Sequence, residues 1–302
     1  MKSNKVKISI GMPVYNGEKF IRSSLESILN QTFPYFELII SDNASTDRTK
    51  DICLEQARKD NRIKYFRNTE NVGAAENYNI VFKKSSGEYF KWAAADDLIA
   101  PNFLEQCLKI LEENPEVVVC YSKTKIIDAM NKVVEEYNDN LHLDDSDIGK
   151  RYLQLLQTIG ECNAVFGLIR SDKLAKTSLI GNYIASDVVL LAELSLRGKF
   201  FEIPDFLFFR REHPEASSWD KSQEKQLDFF DPRTSNRITL QRLRKLKGYF
   251  NAVKNSGLRF EEKRPLYMYL IKKLYYGKVK YTKEILNAGR MYFRRLTRKI
   301  KS

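Results

Sequence analysis

Residues 36–47 read FELIISDNASTD, and this stretch decides the fold class. Its first five residues form a mostly apolar run that is typical of a short buried strand, and a polar turn from Asp42 to Asp47 follows. Comparable runs recur at residues 8–14, 63–66, 89–94 and 117–121, with helical patterns between them. Strands that alternate with helices are typical of a mostly parallel sheet covered by helices, so the sequence predicts an α/β fold.

The second half of the chain has looser patterns. They predict a hairpin and an acidic loop over 123–147, helices at 152–159 and 188–197, and strands at 164–169 and 200–209. Beyond residue 231 the composition shifts to Lys, Arg, Tyr and Leu at helical spacing with few turn signals. The sequence therefore predicts a basic helical C-terminal extension over 231–302, with the domain boundary near 215–235.

The composition excludes several classes of protein. Hydrophobic residues make up 43% and charged residues 30% of the 302 residues, which excludes a disordered chain and a collagen-like fibre. No apolar run approaches the roughly 18 residues that span a bilayer, and no apolar block typical of a signal peptide follows Met1. The four cysteines stand singly without a CxxC pair, so neither a zinc site nor a disulfide framework is indicated. A reducing cytoplasm is the expected location.

The net charge of +12 is unevenly distributed. From Thr234 to the end there are 20 Lys and Arg against 3 acidic residues, a net charge of +17, so residues 1–233 carry −5. Three interpretations of the basic tail are open: a solvated helical face, a nucleic-acid-binding surface, or attachment to an anionic membrane surface. No nucleic-acid-binding module is present, whereas aromatic residues interleaved with cations are typical of interfacial helices.

Polar clusters follow three of the predicted strands, at residues 13–17, 42–47 and 96–97. Each alone is more often a turn, but ligands bind at the carboxyl ends of strands in open α/β sheets. The chain contains neither GxGxxG after its first strand nor GxxxxGK[ST], so a dinucleotide fold and a P-loop are not supported. A bound nucleotide would be held by side chains and a hard divalent cation, to which adjacent carboxylates are suited.

Five motifs together resemble the family 2 glycosyltransferases, which have the GT-A fold. They are Pro13-Val14-Tyr15-Asn16, residues 42–47, Asn71-Val72-Gly73, Gly87-Glu88-Tyr89 and Ala95-Asp96-Asp97. The resemblance covers residues 6 to about 220. It implies a GT-A domain over 1–230, with a nucleotide-sugar-binding half at 1–123 and an acceptor half at 124–230. It also implies inverting transfer of a sugar from a nucleoside diphosphate donor, of the UDP type, to a hydroxyl of a glycan or lipid-linked acceptor.

The resemblance assigns roles to individual residues. Asp42 would accept from a uracil-type imide, Asp96 would face the ribose, and Asp97 with His213 would hold Mg²⁺ or Mn²⁺. The implied nucleotide-sugar contacts are Pro13, Val14, Tyr15, Asn16, Asp42, Asn43, Asn71, Asn79 and Asp96. Two positions depart from the family pattern: Ala94 stands where an Asp is common, and Tyr78 stands where an Arg is usual.

The acceptor half carries an implied general base. Asp187 opens the predicted helix at 188–197 and matches the acidic residue that takes the proton of the attacking hydroxyl in the family. The alternative is that Asp187 is a helix N-cap.

Two other functions are weighed against an enzyme. One is a degenerate family member that acts as a scaffold at a membrane surface; retention of Asp96, Asp97 and Asp187 argues against it. The other is a nucleic-acid-binding protein, which the tail alone would have to support. The expected partners are a nucleotide-sugar donor, a glycan or lipid-linked acceptor and an anionic membrane surface, but no nucleic acid. The expected location is cytoplasmic, peripheral on the inner face of the membrane.

Overall fold

A computed structural model describes residues 6–216, 219, 222–230, 232–234 and 240–301, without side-chain detail for 223, 224, 234 and 293–301. Met1, Asp231, at which the predicted C-terminal extension begins, and Ser302, at which it ends, lie outside these residues. Within them, a nine-stranded sheet is flanked by helices, so the predicted α/β class is confirmed.

The first half is a parallel sheet in the strand order β3-β2-β1-β4. Its strands are β1 (Ile8–Val14), β2 (Phe36–Asp42), β3 (Ile63–Arg67) and β4 (Tyr89–Trp92), and its helices are α1 (Ile21–Leu29), α2 (Thr49–Lys59) and α3 (Ala74–Lys83). β1 and β2 are buried along their whole length, as expected for central strands covered on both faces. Val14 and Asp42 are register partners at the carboxyl ends of β1 and β2.

The second half extends the sheet in the order β8-β6-β9-β5 with mixed directions. The elements are β5 (Leu98–Ile99), α4 (Phe103–Glu113), β6 (Val117–Ile127), β7 (Val133–Tyr137), α5 (Ile148–Thr158), β8 (Leu168–Arg170), α6 (Ser171–Leu174), α7 (Ser186–Ser195), β9 (Lys199–Arg211) and α8 (Gln223–Phe230). β8 is antiparallel to both β4 and β6, whereas β9 runs parallel to β6. The predicted hairpin is formed by β6 and β7.

The strand predicted at 164–169 is wrong in its first part. Residues Asn163–Phe166 form a 3₁₀ helix, and β8 begins only at Leu168. Cys162 has the left-handed backbone angle φ 65°, which turns the chain before the apolar residues begin. The apolar residues of this 3₁₀ helix are therefore buried by side-chain packing and not as part of a paired strand.

The C-terminal segment is helical, as predicted, with α9 (Gln241–Lys254), α10 (Phe260–Tyr276) and α11 (Lys278–Lys301). α9 and α10 contribute Leu246, Tyr249, Val253, Leu266 and Leu270 to the core, each at most 5% exposed. These side chains join one hydrophobic cluster with the apolar residues of α5 and α7. The first two helices of the basic segment thus share one core with α5 and α7.

Among the described residues, none of the helices combines the length and the apolar character needed to cross a bilayer.

Candidate active site

The ends of β1 and β2 meet at one edge of the sheet. The amide of Asn43 donates to the carbonyl of Val14 at 2.8 Å, which joins the loops that follow the two strands. The structure therefore brings the predicted clusters at 13–17 and 42–47 together.

Asp42 is completely buried beneath this edge. Its Oδ2 accepts from the Tyr65 hydroxyl at 2.6 Å, and its Oδ1 accepts from the backbone amide of Ser45 at 2.8 Å. Arg67 Nε lies 3.4 Å from Oδ2 and supplies a countercharge. The carboxylate is thus held in one orientation, and the phenol that shares its proton has a raised pKa, chiefly because of burial. Tyr65 and Arg67 carry no motif, so sequence reasoning missed them.

Hydrogen bonds join the loop after β1 to the loop after β2. Asn16 adopts φ 50°, its Oδ1 accepts from the amide of Thr46 at 2.8 Å, and its own amide donates to Ser45 Oγ at 3.0 Å. Asn tolerates this left-handed angle better than other non-glycine residues. Next to it the Tyr15 ring is 49% exposed.

A chain of amides extends the edge toward α3. Asn43 Nδ2 donates to Asn71 Oδ1 at 2.7 Å, and Asn43 Oδ1 accepts from Asn68 Nδ2 and from the amide of Val72. Asn77, which the sequence did not single out, is buried and exchanges hydrogen bonds with Ser41. These bonds fix the loop that precedes α3.

Asn79 lies in a different environment from the other predicted nucleotide contacts. Its Nδ2 donates to the carbonyl of Ile180 at 2.8 Å, and its Oδ1 accepts from the amide of Ile180 at 3.0 Å. A nucleotide contact through this side chain would require the pair of bonds to break. In the structure Asn79 ties α3 to the segment that leads into α7.

A cavity of about 380 Å³ opens between the two halves of the sheet. Asp96, Asp97 and Asp187 all line it, so the structure brings these three predicted residues together. Its walls also include Tyr78 of α3, Arg210 and Arg211 of β9, and an apolar side formed by Val165, Phe166, Ile180, Ile184, Phe229 and Phe230. The site thus has an acidic end and an apolar side.

Asp97 is held by the end of β9. Its Oδ1 accepts from the backbone amide of Arg211 at 2.8 Å, and the Arg211 guanidinium donates through Nε to the carbonyl of Asp96 at 2.8 Å. Asp97 is only 8% exposed. Burial and the adjacent Asp96 carboxylate raise its pKa well above the usual range of an aspartate. A cation at this position would therefore relieve an unfavourable negative charge.

His213 contacts Asp96. Its Nε2 lies 3.1 Å from Asp96 Oδ2, its ring centroid is 4.6 Å from that of Phe20, and its buried Nδ1 has no hydrogen-bond partner among the residues that the structure describes. The structure therefore places His213 beside Asp96, behind the residues that line the cavity.

The residues at the acidic end suit a divalent cation that a ligand would help to bind. Among the described residues, no group of three or more His, Cys, Asp or Glu side chains is arranged to hold a metal ion by itself. Magnesium, however, is commonly held by one or two carboxylates together with phosphate oxygens and water. Two adjacent carboxylates, one of them deeply buried, fit this second arrangement.

A buried lysine lies behind the acidic end. Lys91 is 1% exposed, and its Nζ donates to the carbonyls of Phe166 and Trp92. Burial lowers the pKa of Lys91 to about 8, and the charge of Asp97 acts in the opposite direction. A lysine within an apolar strand carries no functional motif, so sequence reasoning missed it.

Asp187 lies in the first turn of α7. The N-cap residue is Ala185, with φ 61°, so the alternative that Asp187 caps the helix is wrong. Asp187 Oδ1 accepts from the amide of Val188 at 2.8 Å. Burial raises the pKa of Asp187, while hydrogen bonds from Val188 and the Cys162 thiol and the charge of Lys245 lower it. Asp187 is therefore a partly buried carboxylate that lines the cavity.

Comparisons with known proteins agree with this architecture. The sequence model described as glycosyl transferase family 2 matches residues 9–176. EpsH of Bacillus subtilis (strain 168), named provisionally as a glycosyltransferase, is 31% identical over 211 residues, which are 68% of this chain and 55% of that protein. An uncharacterized glycosyltransferase of Rickettsia bellii (strain RML369-C) is 36% identical over 152 residues, 50% of this chain and 21% of the relative. The match thus spans between about a fifth and about half of these curated relatives.

Two solved structures share the fold. The crystal structure of S. aureus TarS 1-349 in complex with UDP has a TM-score of 0.57 at 18% identity and covers 95% of this chain and 91% of TarS 1-349. The mannosyltransferase PcManGT from Pyrobaculum calidifontis, in complex with GDP-Man and Mn²⁺, has a TM-score of 0.52 at 15% identity and covers 96% of this chain and 87% of PcManGT. The predicted GT-A fold is confirmed. With the family model matching more than half of its length, the chain belongs to glycosyl transferase family 2.

Proposed function

We propose that the protein transfers a sugar from a nucleoside diphosphate donor to an acceptor hydroxyl, with inversion at the anomeric carbon. The observation that carries the proposal is that Asp96, Asp97 and Asp187 line one cavity of a family 2 fold, the first two after the carboxyl end of β4 and the third in the first turn of α7. Solved structures of this fold are described with UDP, UDP-GlcNAc and GDP-Man. A donor of the UDP type is our proposal for this chain.

The nucleotide would lie along the edge formed by β1 and β2. Asp42 is oriented by Tyr65 and Ser45, so it can accept a hydrogen bond from the imide of a pyrimidine. The exposed Tyr15 ring offers a face for the base, and Pro13, Val14, Asn16, Asn43 and Asn71 shape the surrounding loops. Asp96, 30% exposed in its side chain, can accept from ribose hydroxyls. Asn79 can contact the nucleotide only if its hydrogen bonds to Ile180 rearrange.

Asp97, with Asp96 and His213 beside it, would hold Mg²⁺ or Mn²⁺ together with the diphosphate. When bound, the cation would neutralise negative charge on the departing nucleoside diphosphate. Arg211, whose buried Nη2 has no hydrogen-bond partner in the described part of the chain, lies where it can add a second positive charge. The dipoles and charges at the acidic end of the cavity are already fixed in position. They would then stabilise the transition state without reorganising.

Asp187 would act as the general base. Its carboxylate takes the proton of the acceptor hydroxyl as the hydroxyl oxygen forms a bond to the anomeric carbon. The bond from that carbon to the diphosphate oxygen breaks on the opposite face, and the nucleoside diphosphate leaves with the electron pair. A raised pKa makes the carboxylate a stronger base than an exposed aspartate. One displacement without a covalent intermediate inverts the configuration.

A catalytically degenerate scaffold is the weaker alternative. A scaffold has no need of buried carboxylates whose charge is opposed by their surroundings, because such groups carry a cost in stability. Asp97 is of this kind, and the partly buried Asp187 also has a raised pKa.

The experiment that tests the proposal is a panel of nucleotide-sugar donors, scored for nucleotide release without acceptor in the presence of Mg²⁺, Mn²⁺ or EDTA. We expect one donor to be hydrolysed in a metal-dependent way, and Asp97→Asn to abolish this release. A protein that binds donors but never releases nucleotide, with metal or without, would favour the scaffold.

We further propose that the outer face of α10 and α11 docks on an anionic membrane surface on its cytoplasmic side. Met268, Ile271, Tyr275, Val279 and Leu286 are each about half exposed or more. The exposed cations among them are Lys272, Lys278, Lys280, Lys283 and Arg290. Apolar side chains can enter the headgroup layer while the cations attract acidic lipids. A lipid-linked acceptor would be found at such a surface.

A further inference from the structure

Residues 178–185 form the segment that leads into α7. Ile180 and Ile184 line the cavity, so the course of this backbone shapes one wall of the site. Leu179, with φ 57°, and Ala185, with φ 61°, adopt the left-handed backbone region, which residues of this kind rarely enter. Such conformations persist only where the surrounding structure holds them. The contacts that hold this segment therefore matter for the shape of the site.

The side chain of Asn79 binds the segment through two hydrogen bonds to one residue. Its Nδ2 donates to the carbonyl of Ile180 at 2.8 Å, and its Oδ1 accepts from the amide of Ile180 at 3.0 Å. Both backbone groups of Ile180 are thus bonded to a residue that lies 101 positions earlier in the chain. Because Ile180 directly follows Leu179, the two bonds fix the backbone beside the first left-handed residue.

Helix α3 connects this contact to the rest of the site. Asn77 exchanges hydrogen bonds with Ser41, next to the carboxyl end of β2. Tyr78 lines the cavity, and Asn79 binds the segment before α7. Three consecutive residues of α3 therefore contact the edge formed by β1 and β2, the cavity and the segment that leads to the proposed base.

Helix α9 holds the other end of the segment. Gln241 is 6% exposed, and its Oε1 accepts from the amide of Ile184 at 3.0 Å. Arg244, one turn later on α9, donates from Nη1 to the carbonyl of Asn182 at 3.2 Å. Because Ile184 directly precedes Ala185, the bond from its amide fixes the backbone beside the second left-handed residue.

We propose that Asn79 and Gln241 are positioning residues of the catalytic machinery. Each fixes the backbone beside one left-handed residue, and together they set where α7 begins and where the carboxylate of Asp187 lies in the cavity. Each acts through the segment that leads into α7, so Asn79 serves the acceptor side of the site and not the nucleotide. This inference rests on the proposed role of Asp187 as the base.

The test follows backbone amides by NMR in the full chain labelled with ¹⁵N-isoleucine and ¹⁵N-valine. Hydrogen exchange of the Ile180 and Ile184 amides reports the two sets of hydrogen bonds. The resonance of the Val188 amide reports Asp187, because Asp187 Oδ1 accepts from this amide at 2.8 Å. Each of the three resonances is assigned by its loss when that residue is replaced by leucine.

The variants are Asn79→Leu and Gln241→Met, which remove the hydrogen-bonding groups and keep side chains of similar size. Asn79→Asp is the conservative variant, because it keeps an acceptor for the amide of Ile180. The matched controls are Asn251→Leu and Gln157→Met, which make the same replacements at exposed positions. Thermal unfolding verifies that each protein is folded, and alanine takes the place of leucine or methionine in a variant that does not fold.

We expect Asn79→Leu to speed the amide exchange of Ile180, and Gln241→Met that of Ile184, by at least about fivefold, as the loss of one ordinary hydrogen bond predicts. The Val188 resonance should shift in both variants, whereas Asn79→Asp should keep the Ile180 amide protected. Turnover in nucleotide release from UDP-glucose, UDP-GlcNAc or GDP-mannose should fall by about tenfold to a hundredfold, because a small displacement of a catalytic group has effects of this size. The donor KM should not change, and both controls should behave as the wild type.

Unchanged exchange and an unmoved Val188 resonance in both Asn79→Leu and Gln241→Met would overturn the inference. A raised donor KM with turnover intact would also overturn it, as would wild-type turnover in a variant whose Val188 resonance has moved. If the resonance moves but the wild type releases no nucleotide from any of the three donors, the positioning of Asp187 is supported and the proposed activity is rejected instead.

Discussion

The imidazole of His213 and the carboxylate of Asp96 lie 3.1 Å apart, between Nε2 and Oδ2, although 117 residues separate them in the chain. The contact joins the segment after β9 to the segment after β4, so the acidic end of the cavity is enclosed from both halves of the sheet. His213 lies outside the residues that the family model matches, yet it completes the surroundings of a residue inside them. The surroundings of Asp96 therefore depend on a segment far along the chain.

Asp97→Asn should abolish metal-dependent nucleotide release. The amide keeps an acceptor for the Arg211 backbone N–H but removes the negative charge that would bind a divalent cation. Because burial and Asp96 disfavour this charge, we expect the thermal unfolding temperature to be unchanged or higher. Nucleotide release and differential scanning fluorimetry, measured on the same preparation, check both parts. Activity of the variant at the wild-type level would refute the metal assignment.

Asp187→Asn should lower turnover by roughly two to four orders of magnitude, because the amide cannot take the acceptor proton. The KM for the donor should change little. In the wild type the raised pKa of Asp187 should place the acid limb of the rate above the ordinary range for aspartate, with activity lost as the pH falls through it. Asp205→Asn, at an exposed position, serves as the control. Loss of donor affinity with turnover intact would place Asp187 in the donor site instead.

Tyr65→Phe should weaken donor binding while leaving turnover unchanged. The variant removes one hydrogen bond to Asp42, worth about 1 kcal/mol, and frees the carboxylate to rotate. A rise in the donor KM of roughly fivefold is expected from that energy. Tyr35→Phe, on a ring that is 58% exposed, should have no effect. Steady-state kinetics measures the donor KM of both variants. Equal KM values would show that Asp42 does not take part in donor binding.

Replacement of Lys272, Lys280 and Lys283 by Glu in one variant should release the protein from anionic vesicles. Each surface cation contributes about 1 kcal/mol near an acidic leaflet, so even neutralising three would weaken binding on the order of a hundredfold. The control replaces the exposed Lys50, Lys109 and Lys132 and changes the net charge equally. Co-sedimentation with vesicles at low and high salt is the measurement. If both triple variants co-sediment with the vesicles to the same extent, the cations of α10 and α11 form only a solvated face.

Leu270→Ala should destabilise the whole protein by about 2 to 5 kcal/mol, because this side chain is completely buried in the shared core. Leu274→Ala, one turn later on α10 and 38% exposed at that position, should cost much less. Urea unfolding followed by circular dichroism measures both. A Leu270→Ala protein that retains wild-type stability would show that α10 does not belong to the core of the acceptor half.

The parts of the fold that could be predicted are those with local signals. β1 to β4 end in polar turns and alternate with amphipathic helices, so their order along the chain and their parallel arrangement follow from the sequence pattern. β5 has only two residues, and the pairing of β9 with β6 joins distant segments, so neither leaves a local trace. The 3₁₀ helix at Asn163–Phe166 has the composition of a strand, and only the left-handed turn at Cys162 separates the two.

The site divides in the same way. Asp96 and Asp97 are visible as a pair after a strand, and Asp187 through its place in the family pattern. Tyr65 and Lys91 acquire their roles only through contacts with distant residues. The charge of the C-terminal segment also masked its packing, because composition reports the many exposed cations and not the few apolar residues that α9 and α10 bury.

The long-range bond from the Arg211 amide to Asp97 has a consequence for biosynthesis. A chain emerges from the ribosome from its N-terminus, and domains can begin to fold before synthesis ends. β1 to β4 are complete once residue 92 has been made, but the Asp97 carboxylate gains its backbone donor only when Arg211, 114 residues after Asp97, has been made, and α9 ends at residue 254. Pairings at such sequence separation form slowly. The nascent protein therefore carries an unfinished acidic end of the cavity until β9 has been made, and its proposed activity begins only after that point.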